Sequence, residues 1–104
     1  MDKALSYNQQ SKSPACWVYL IEQEDHSYSI RYSLDLYKEL RAFPHNASLI
    51  FYRSFYNIVD GIAYKVLLEN LSIESIFITI SLINPNKENM CKKLLDEYKK
   101  RTIS

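Results

Sequence analysis

The chain has 104 residues, of which 47% are hydrophobic, and this composition is enough for the core of one small domain. Thirteen lysines and arginines against twelve aspartates and glutamates give a formal net charge of +1, which excludes the overall basicity typical of nucleic-acid-binding domains. No apolar run approaches the roughly 20 residues that a membrane-spanning helix needs, so we expect no membrane partner.

The start of the chain is polar and contains no hydrophobic stretch typical of a signal peptide. We expect residues 1–14 to form a flexible tail and residues 15–104 to form a single domain. Cys16 and Cys91 lie far apart in sequence, and two such cysteines without a secretory signal indicate reduced thiols in a cytoplasmic protein. A disulfide between them is the less favoured alternative.

Two strands are predicted at the beginning of the domain. Residues 16–22, CWVYLIE, are apolar and aromatic with β-branched content, which is typical of a strand. Residues 27–32 alternate polar and apolar side chains with the period of a half-buried strand. Because residues 23–26 between them form a polar turn, the two strands are predicted to pair as a hairpin.

A short helix is predicted next. Ser33 is a favourable N-cap residue, and Leu36, Leu40 and Phe43 then recur at helical spacing. Pro44 disfavours helical geometry in the residue before it, so the helix is predicted to end there.

A third strand and a second helix are predicted to follow. Residues 48–55 are apolar and aromatic, which favours a strand. Asn57 favours the start of a helix, and Ile58, Ile62 and Val66 then form an apolar stripe in a helix that runs to about residue 71.

The segment after Ser72 is ambiguous on its residues alone. Residues 73–80 are rich in β-branched side chains and would suit a buried strand. Ile73, Ile76 and Ile80 nevertheless recur at helical spacing, so a helix capped by Ser72 is equally well supported.

A final helix is predicted over about residues 87–101. Asn84 and Pro85 break the chain, Asn86 is the predicted N-cap, and Met90 and Leu94 are predicted to face inward. Residues 87–101 contain six basic and three acidic side chains, most simply the solvated face of this helix. The elements together predict a small α+β domain.

Five segments follow one another in a recognisable order and spacing: WVYLI at 17–21, YSIR at 28–31, SLDL at 33–36, FYRSF at 51–55 and INPN at 83–86. This layout resembles the GIY-YIG endonuclease family, closest to its small stand-alone bacterial members, and covers some three quarters of the chain. The resemblance implies a GIY-YIG-like α+β fold with a small three-stranded antiparallel sheet flanked by three to four helices, and it favours a helix for residues 73–83.

The resemblance also implies a nuclease site. Members of the family cleave a phosphodiester with one divalent metal held by a glutamate, a tyrosine that acts in proton transfer and an arginine that stabilises the phosphate. The two tyrosine positions fall on Tyr19 and Ser29, the arginine on Glu39, the metal-binding glutamate on Lys65 and the asparagine on Asn84.

Two of these five positions, Tyr19 and Asn84, keep the family's residue type, whereas Glu39 and Lys65 reverse its charge. A carboxylate repels phosphate, and an ammonium group does not ligate a metal. We therefore expect no catalytic residues and no metal site, and an ion pair between Glu39 and Lys65 would take the place of the active site. The expected function is a non-catalytic GIY-YIG-like domain that binds nucleic acid or protein.

Two other functions stay open. The first is an active metal-dependent endonuclease with relocated residues, such as Tyr28 and Glu69, which would require Mg²⁺ or Mn²⁺. The second is a homodimeric interaction protein with a tyrosine-rich interface. His26 and His45 have no neighbouring ligands in the sequence and predict no metal site.

A nucleic-acid surface would be formed by the basic residues that the resemblance places near the former cleft, interleaved with tyrosines on which bases could stack. These candidates are Arg31, Lys38, Arg41, Arg53 and Lys65. The favoured alternative is that the tyrosines simply cover half-exposed faces of the sheet and helices.

Overall fold

Three strands and four helices follow one another in the part of the chain that the computed structural model describes, residues 14–44 and 46–103. They are β1 Cys16–Glu22, β2 Tyr28–Ser33, α1 Leu36–Leu40, β3 Ser48–Phe55, α2 Ile58–Glu69, α3 Ile73–Ile83 and α4 Cys91–Ile103. The predicted α+β fold is confirmed. The predicted tail lies outside the described residues except for Pro14, and so does His45.

The sheet has the order β2-β1-β3, and both pairings are antiparallel. β1 is central, and each residue from Cys16 to Ile21 is at most 4% exposed. This burial explains the unbroken apolar run of β1, because a strand covered on both faces has no solvent side on which to place polar residues.

One face of the sheet, the front face, carries Trp17, Tyr19 and Ile21 of β1. Helices α1 and α4 cover it, and Leu36 and Leu94 pack into the same buried cluster. Successive side chains of a strand alternate between faces, so the β2 residues paired with these positions also point to the front.

The opposite face, the back face, carries Val18 and Leu20. Helices α2 and α3 cover it through Leu68 and Ile80, which belong to the same buried cluster. The sheet therefore separates α1 and α4 from α2 and α3, and this separation decides which of the predicted site residues can meet.

A β-bulge interrupts β3 beside the central strand. Leu20 pairs with Phe51, but Ile21 pairs with Leu49, so Ile50 has no partner in the ladder. Both Ile50 and Phe51 pack into the back cluster. The bulge leaves the Ile50 carbonyl to be satisfied from outside the sheet.

The beginning of α1 differs from the prediction. Ser33 is the last residue of β2, and its Oγ accepts a 2.9 Å hydrogen bond from the Asp35 backbone N–H. Asp35 is the N-cap instead, since its carboxylate accepts a 3.1 Å bond from the backbone N–H of Lys38. The helix ends at Leu40, one turn earlier than expected.

The last helix begins at Cys91, four residues later than predicted, and Asn86 does not cap it. Lys87 adopts a φ of 50°, which is incompatible with a right-handed helix. The Asn89 side chain instead accepts hydrogen bonds from the backbone N–H groups of Cys91 and Leu49, at 3.1 and 3.2 Å. The Asn89 side chain therefore stabilises the start of the helix and also links it to β3.

Residues 73–83 form a helix, with Ser72 as the predicted N-cap accepting from the Ser75 backbone N–H. The apolar stripe predicted for α2 exists, but it does not face the sheet. α2 buries Gly61 and Leu68 instead. A Cβ atom on Gly61 would collide with the Cys16 sulfur, so glycine is what allows the helix to lie this close to β1.

The outer side of α2 and α3 is consequently apolar. Seven large aliphatic side chains there are between 46% and 82% exposed. We call this surface the aliphatic face, and its members are Ile58, Val59, Ile62, Val66, Leu67, Ile78 and Leu82.

Candidate functional site

A cleft of about 420 Å³ opens on the front face, where the β1–β2 hairpin meets α1 and the segment that follows it. Tyr19 lies at its base, and Arg31 and Glu39 reach it from β2 and α1. The remaining lining residues are Ile21, Gln23, Glu24, Asp25, Ala42, Phe43, Pro44, Asn46 and Ala47. The cleft therefore contains three of the residues that the sequence singled out.

Tyr19 and Glu39 are joined directly in this cleft. The Tyr19 hydroxyl donates a 2.8 Å hydrogen bond to the Glu39 carboxylate, and Tyr19 is only 1% exposed. Burial raises the pKa of Tyr19 well above its ordinary value, and the bond to Glu39 raises it further. The hydroxyl therefore stays protonated near neutral pH and acts as a donor to Glu39.

The charges around the cleft are mainly negative. Glu24, Asp25 and Glu39 line it together with a single guanidinium, that of Arg31. Glu24 accepts a 2.8 Å bond from the Asn46 side chain. Hydrogen bonds from the Ser27 side chain and backbone hold the pKa of Asp25 below its usual range. A phosphate group placed here would meet more like charge than opposite charge.

Lys65 does not take part in this cleft. It lies on α2, behind the sheet, and its Nζ is 2.7 Å from an Oε2 of Glu69 one helical turn later. An ion pair between Glu39 and Lys65 does not form, because the two helices cover opposite faces of the sheet. An ammonium group has no lone pair to give to a divalent cation, so Lys65 does not serve as a metal ligand here.

Ser29 and Asn84 are the remaining two positions at which the resemblance implies nuclease residues. Ser29 pairs with Ile21, so it points to the front face, and its Oγ accepts a 3.4 Å bond from Gln23. Asn84 is buried, and its side-chain amide donates to the carbonyls of Ile50 and Glu88 at 3.0 and 2.8 Å. Its oxygen accepts from the Glu88 backbone N–H at 2.9 Å.

These bonds give Asn84 a structural task. The Ile50 carbonyl lies at the bulge, where the ladder offers it no partner, and the Asn84 amide supplies one. The same side chain holds the Glu88 backbone, so it fastens the connection between α3 and α4 to β3. Both amide protons of Asn84 are therefore bound to the backbone of its own chain.

The five basic candidates for nucleic-acid contacts do not share one surface. Arg31 points to the front face, and Lys38 and Arg41 belong to α1 and its C-cap on that side. Arg53 and Lys65 lie at the back. The Arg53 guanidinium lies over the Phe55 and Tyr64 rings, 5.1 and 4.7 Å from their centroids.

Tyr28 and Glu69, the relocated pair considered above, do line one pocket. It measures about 240 Å³, lies on the back face and is otherwise apolar. The Tyr28 hydroxyl donates to Glu22 at 3.0 Å and accepts from the Lys87 ammonium at 2.8 Å. This bond to Tyr28 raises the pKa of Lys87. Glu69 is held by Lys65, so both members of the pair already have partners.

Within residues 14–44 and 46–103, no three His, Cys, Asp or Glu side chains gather closely enough to hold a metal ion. Over the same residues, no helix has the length and apolar character to cross a membrane. Cys16 and Cys91 are free thiols, as expected, and burial raises the pKa of Cys91.

Comparison with protein-family models, with curated proteins and with solved structures finds no match to this chain. The resemblance to GIY-YIG endonucleases therefore stays a prediction from the sequence. Residue chemistry and geometry are what support a function here.

Two features of the site were missed in the sequence. The sequence predicts Glu24 and Asp25 only as turn residues, yet they line the cleft and make it acidic. Their acidity is visible in the sequence, but the sequence does not show that this turn lies across the cleft from α1. The aliphatic face was visible as a helical stripe, and only the packing of Gly61 against β1 shows that it points outward.

Proposed function

We propose that this chain is a non-catalytic binding domain with a GIY-YIG-like layout, and that its partner is a protein. The observation that carries the proposal is the closed pair of Tyr19 and Glu39 at the base of the front cleft. Cytoplasmic action is part of the proposal, and the two free thiols support it.

The chemistry of the pair argues against phosphodiester cleavage. A phosphoryl transition state needs positive charge on its oxygens and an activated nucleophile. Glu39 places a carboxylate where the family uses a guanidinium, and Tyr19 keeps its proton. Lys65, at the position of the metal-binding glutamate, lies on the other side of the sheet and is paired with Glu69.

The choice of a protein partner rests on where charge and apolar surface lie. The basic candidates are divided between the two faces, so they do not form the basic patch that binding to phosphates requires. The aliphatic face is a large exposed apolar surface, and such surfaces mark contacts with proteins.

A plasmid-nicking assay with Mg²⁺ or Mn²⁺ tests the loss of catalysis. We expect no nicking by the purified protein. The relocated site remains the second candidate, because Tyr28 and Glu69 line a common pocket. Nicking that Glu69→Ala abolishes would overturn the proposal in favour of that site, whereas nicking that the substitution leaves unchanged identifies a contaminating nuclease.

Fluorescence anisotropy with labelled DNA and RNA at two salt concentrations tests the choice of partner class. We expect no binding even at low salt. Binding that weakens steeply with salt, and that Arg53→Ala or Lys38→Ala reduces, would instead identify a nucleic-acid-binding domain.

A further inference from the structure

We infer that the aliphatic face binds a second copy of this chain, with α2 of one copy packed antiparallel against α2 of the other. This inference rests on the proposed function, in which the chain acts by binding protein. It identifies the partner and the surface.

The first argument is the size of the exposed area. The seven side chains of the aliphatic face leave on the order of 800 Å² of surface in water, as much as one partner contributes to an interface of standard size. The largest apolar patch of a typical monomer is roughly 300–600 Å². The face is therefore large enough to supply one side of an interface of standard size.

The second argument is the spacing along α2. Val59, Ile62 and Val66 are 71%, 48% and 50% exposed. They recur at intervals of three and four residues, which is the spacing of the seam between two paired helices. Ile78 and Leu82 continue the pattern on α3 with an interval of four. Side chains spaced in this way fit into the grooves of a second helix.

The third argument is charge. Helices α2 and α3 carry one lysine, Lys65, and three carboxylates, and Lys65 is already bound to Glu69. A polyanion such as nucleic acid, or an anionic lipid surface, would find repulsion here rather than a counter-charge. Asp60 and Glu74 lie in the first turns of their helices. Antiparallel packing moves the two copies of Asp60 to opposite ends of the contact.

A two-fold axis makes the face complementary to itself. In an isologous contact, residue i of one copy meets residue j of the other, and j meets i. With the axis between Ile62 and Val66, each isoleucine meets the partner's valine. The centre of the contact is then aliphatic on both sides.

Sedimentation velocity over a range of concentrations tests the inference. The chain has a mass of 12.3 kDa, and we expect the wild type to sediment as a species of twice that mass. Ile62→Lys and Val66→Glu each place a charge in the contact, so we expect each to weaken dimerisation on the order of 100-fold or more. Both positions are half exposed in the monomer, and circular dichroism should confirm that the fold is retained.

A charge-pairing experiment tests the antiparallel arrangement. An equal mixture of Ile62→Lys and Val66→Glu should dimerise more strongly than either variant alone, because the two introduced charges then face each other. Leu34→Glu is the matched control, since Leu34 is 63% exposed but precedes α1, away from the aliphatic face. It should leave the dimer unchanged.

A wild type that stays monomeric at all concentrations would overturn the inference. So would a dimer that Ile62→Lys and Val66→Glu leave intact. Neither result affects the proposal that the chain is non-catalytic, which the nicking assay tests separately.

Discussion

The hydroxyl of Tyr19 and the carboxylate of Glu39 lie 2.8 Å apart, and the hydroxyl is the donor. Tyr19 comes from the central strand and Glu39 from the short helix α1, so the bond joins two elements as well as two side chains. The group that the resemblance expects to handle protons therefore serves to hold α1 on the sheet. The following predictions start from this bond and from the other contacts that fix the site.

Tyr19→Phe should lower the free energy of unfolding by about 1 kcal/mol, because it removes the donor from a partly buried carboxylate. Urea denaturation measures the change. Tyr56→Phe removes the same hydroxyl from a side chain that is 58% exposed, and we expect a change within about 0.5 kcal/mol. Equal effects from the two substitutions would mean that the bond to Glu39 adds no stability.

The raised pKa of Tyr19 predicts a loss of stability in alkali. Above pH about 10, the ordinary tyrosine pKa, the unfolded chain releases this proton while the folded chain retains it. The contribution is fully present below that pH, and it is lost as the pH rises towards the folded-state pKa. Tyr19→Phe lacks the contribution, so its free energy of unfolding should decline less steeply in alkali.

Denaturant titrations at a series of alkaline pH values measure this difference. Burial also raises the pKa of Tyr32, which both proteins keep, so Tyr32 adds the same background to each. Parallel curves for the wild type and Tyr19→Phe would contradict the prediction.

Asn84→Ala should destabilise the fold more than Tyr19→Phe does. It removes the partner of the Ile50 carbonyl at the bulge and both bonds to the Glu88 backbone. Leaving buried backbone groups unsatisfied should lower the free energy of unfolding by about 2–4 kcal/mol. Asn70→Ala is the matched control, because exposed Asn70 makes only one side-chain bond, to the Val66 carbonyl, and should change stability by about 0.5 kcal/mol.

Gly61→Ala should destabilise the protein even though Gly61 lies inside a helix. Alanine favours an exposed helix by about 1 kcal/mol over glycine, but here its Cβ meets the sulfur of Cys16. We expect a net loss of about 1–3 kcal/mol, measured by thermal or urea unfolding. Cys16→Ala removes that sulfur. The double variant should therefore lose less unfolding free energy than the two single variants lose together. Additive effects would show that the clash is relieved in another way.

Much of the fold could be predicted from local patterns. β1 and β3 have the predicted bounds, and β2 and α2 differ at their ends by one or two residues. Strand periodicity, N-cap residues and helical spacing are local properties, so residues such as Asn57 and Ser72 could be recognised as caps. The polar side chains at the starts of α1 and α4, Asp35 and Asn89, compete in the sequence with nearby Ser33 and Asn86, and only tertiary contacts such as Asn89 with Leu49 decide between them.

The candidate site was less predictable. The residue types at Tyr19, Glu39 and Lys65 are fixed by the sequence, and their reversed charges alone argue against the family's chemistry. Which of them meet depends on the side of the sheet that each helix covers, and no local pattern determines that. The sheet lies between Glu39 and Lys65, so each has found a different partner.

The sequence by itself determined most of the strands and helices and the residue types of the candidate site, because propensity, periodicity and charge belong to short segments of chain. Only the tertiary structure decided that Tyr19 binds Glu39 and that Asn84 satisfies the bulge at Ile50. It also decided that the apolar stripe of α2 faces water. The physical reason is that burial belongs to the packed molecule: Gly61 sets which side of α2 can approach the sheet, and the opposite residues are left outside.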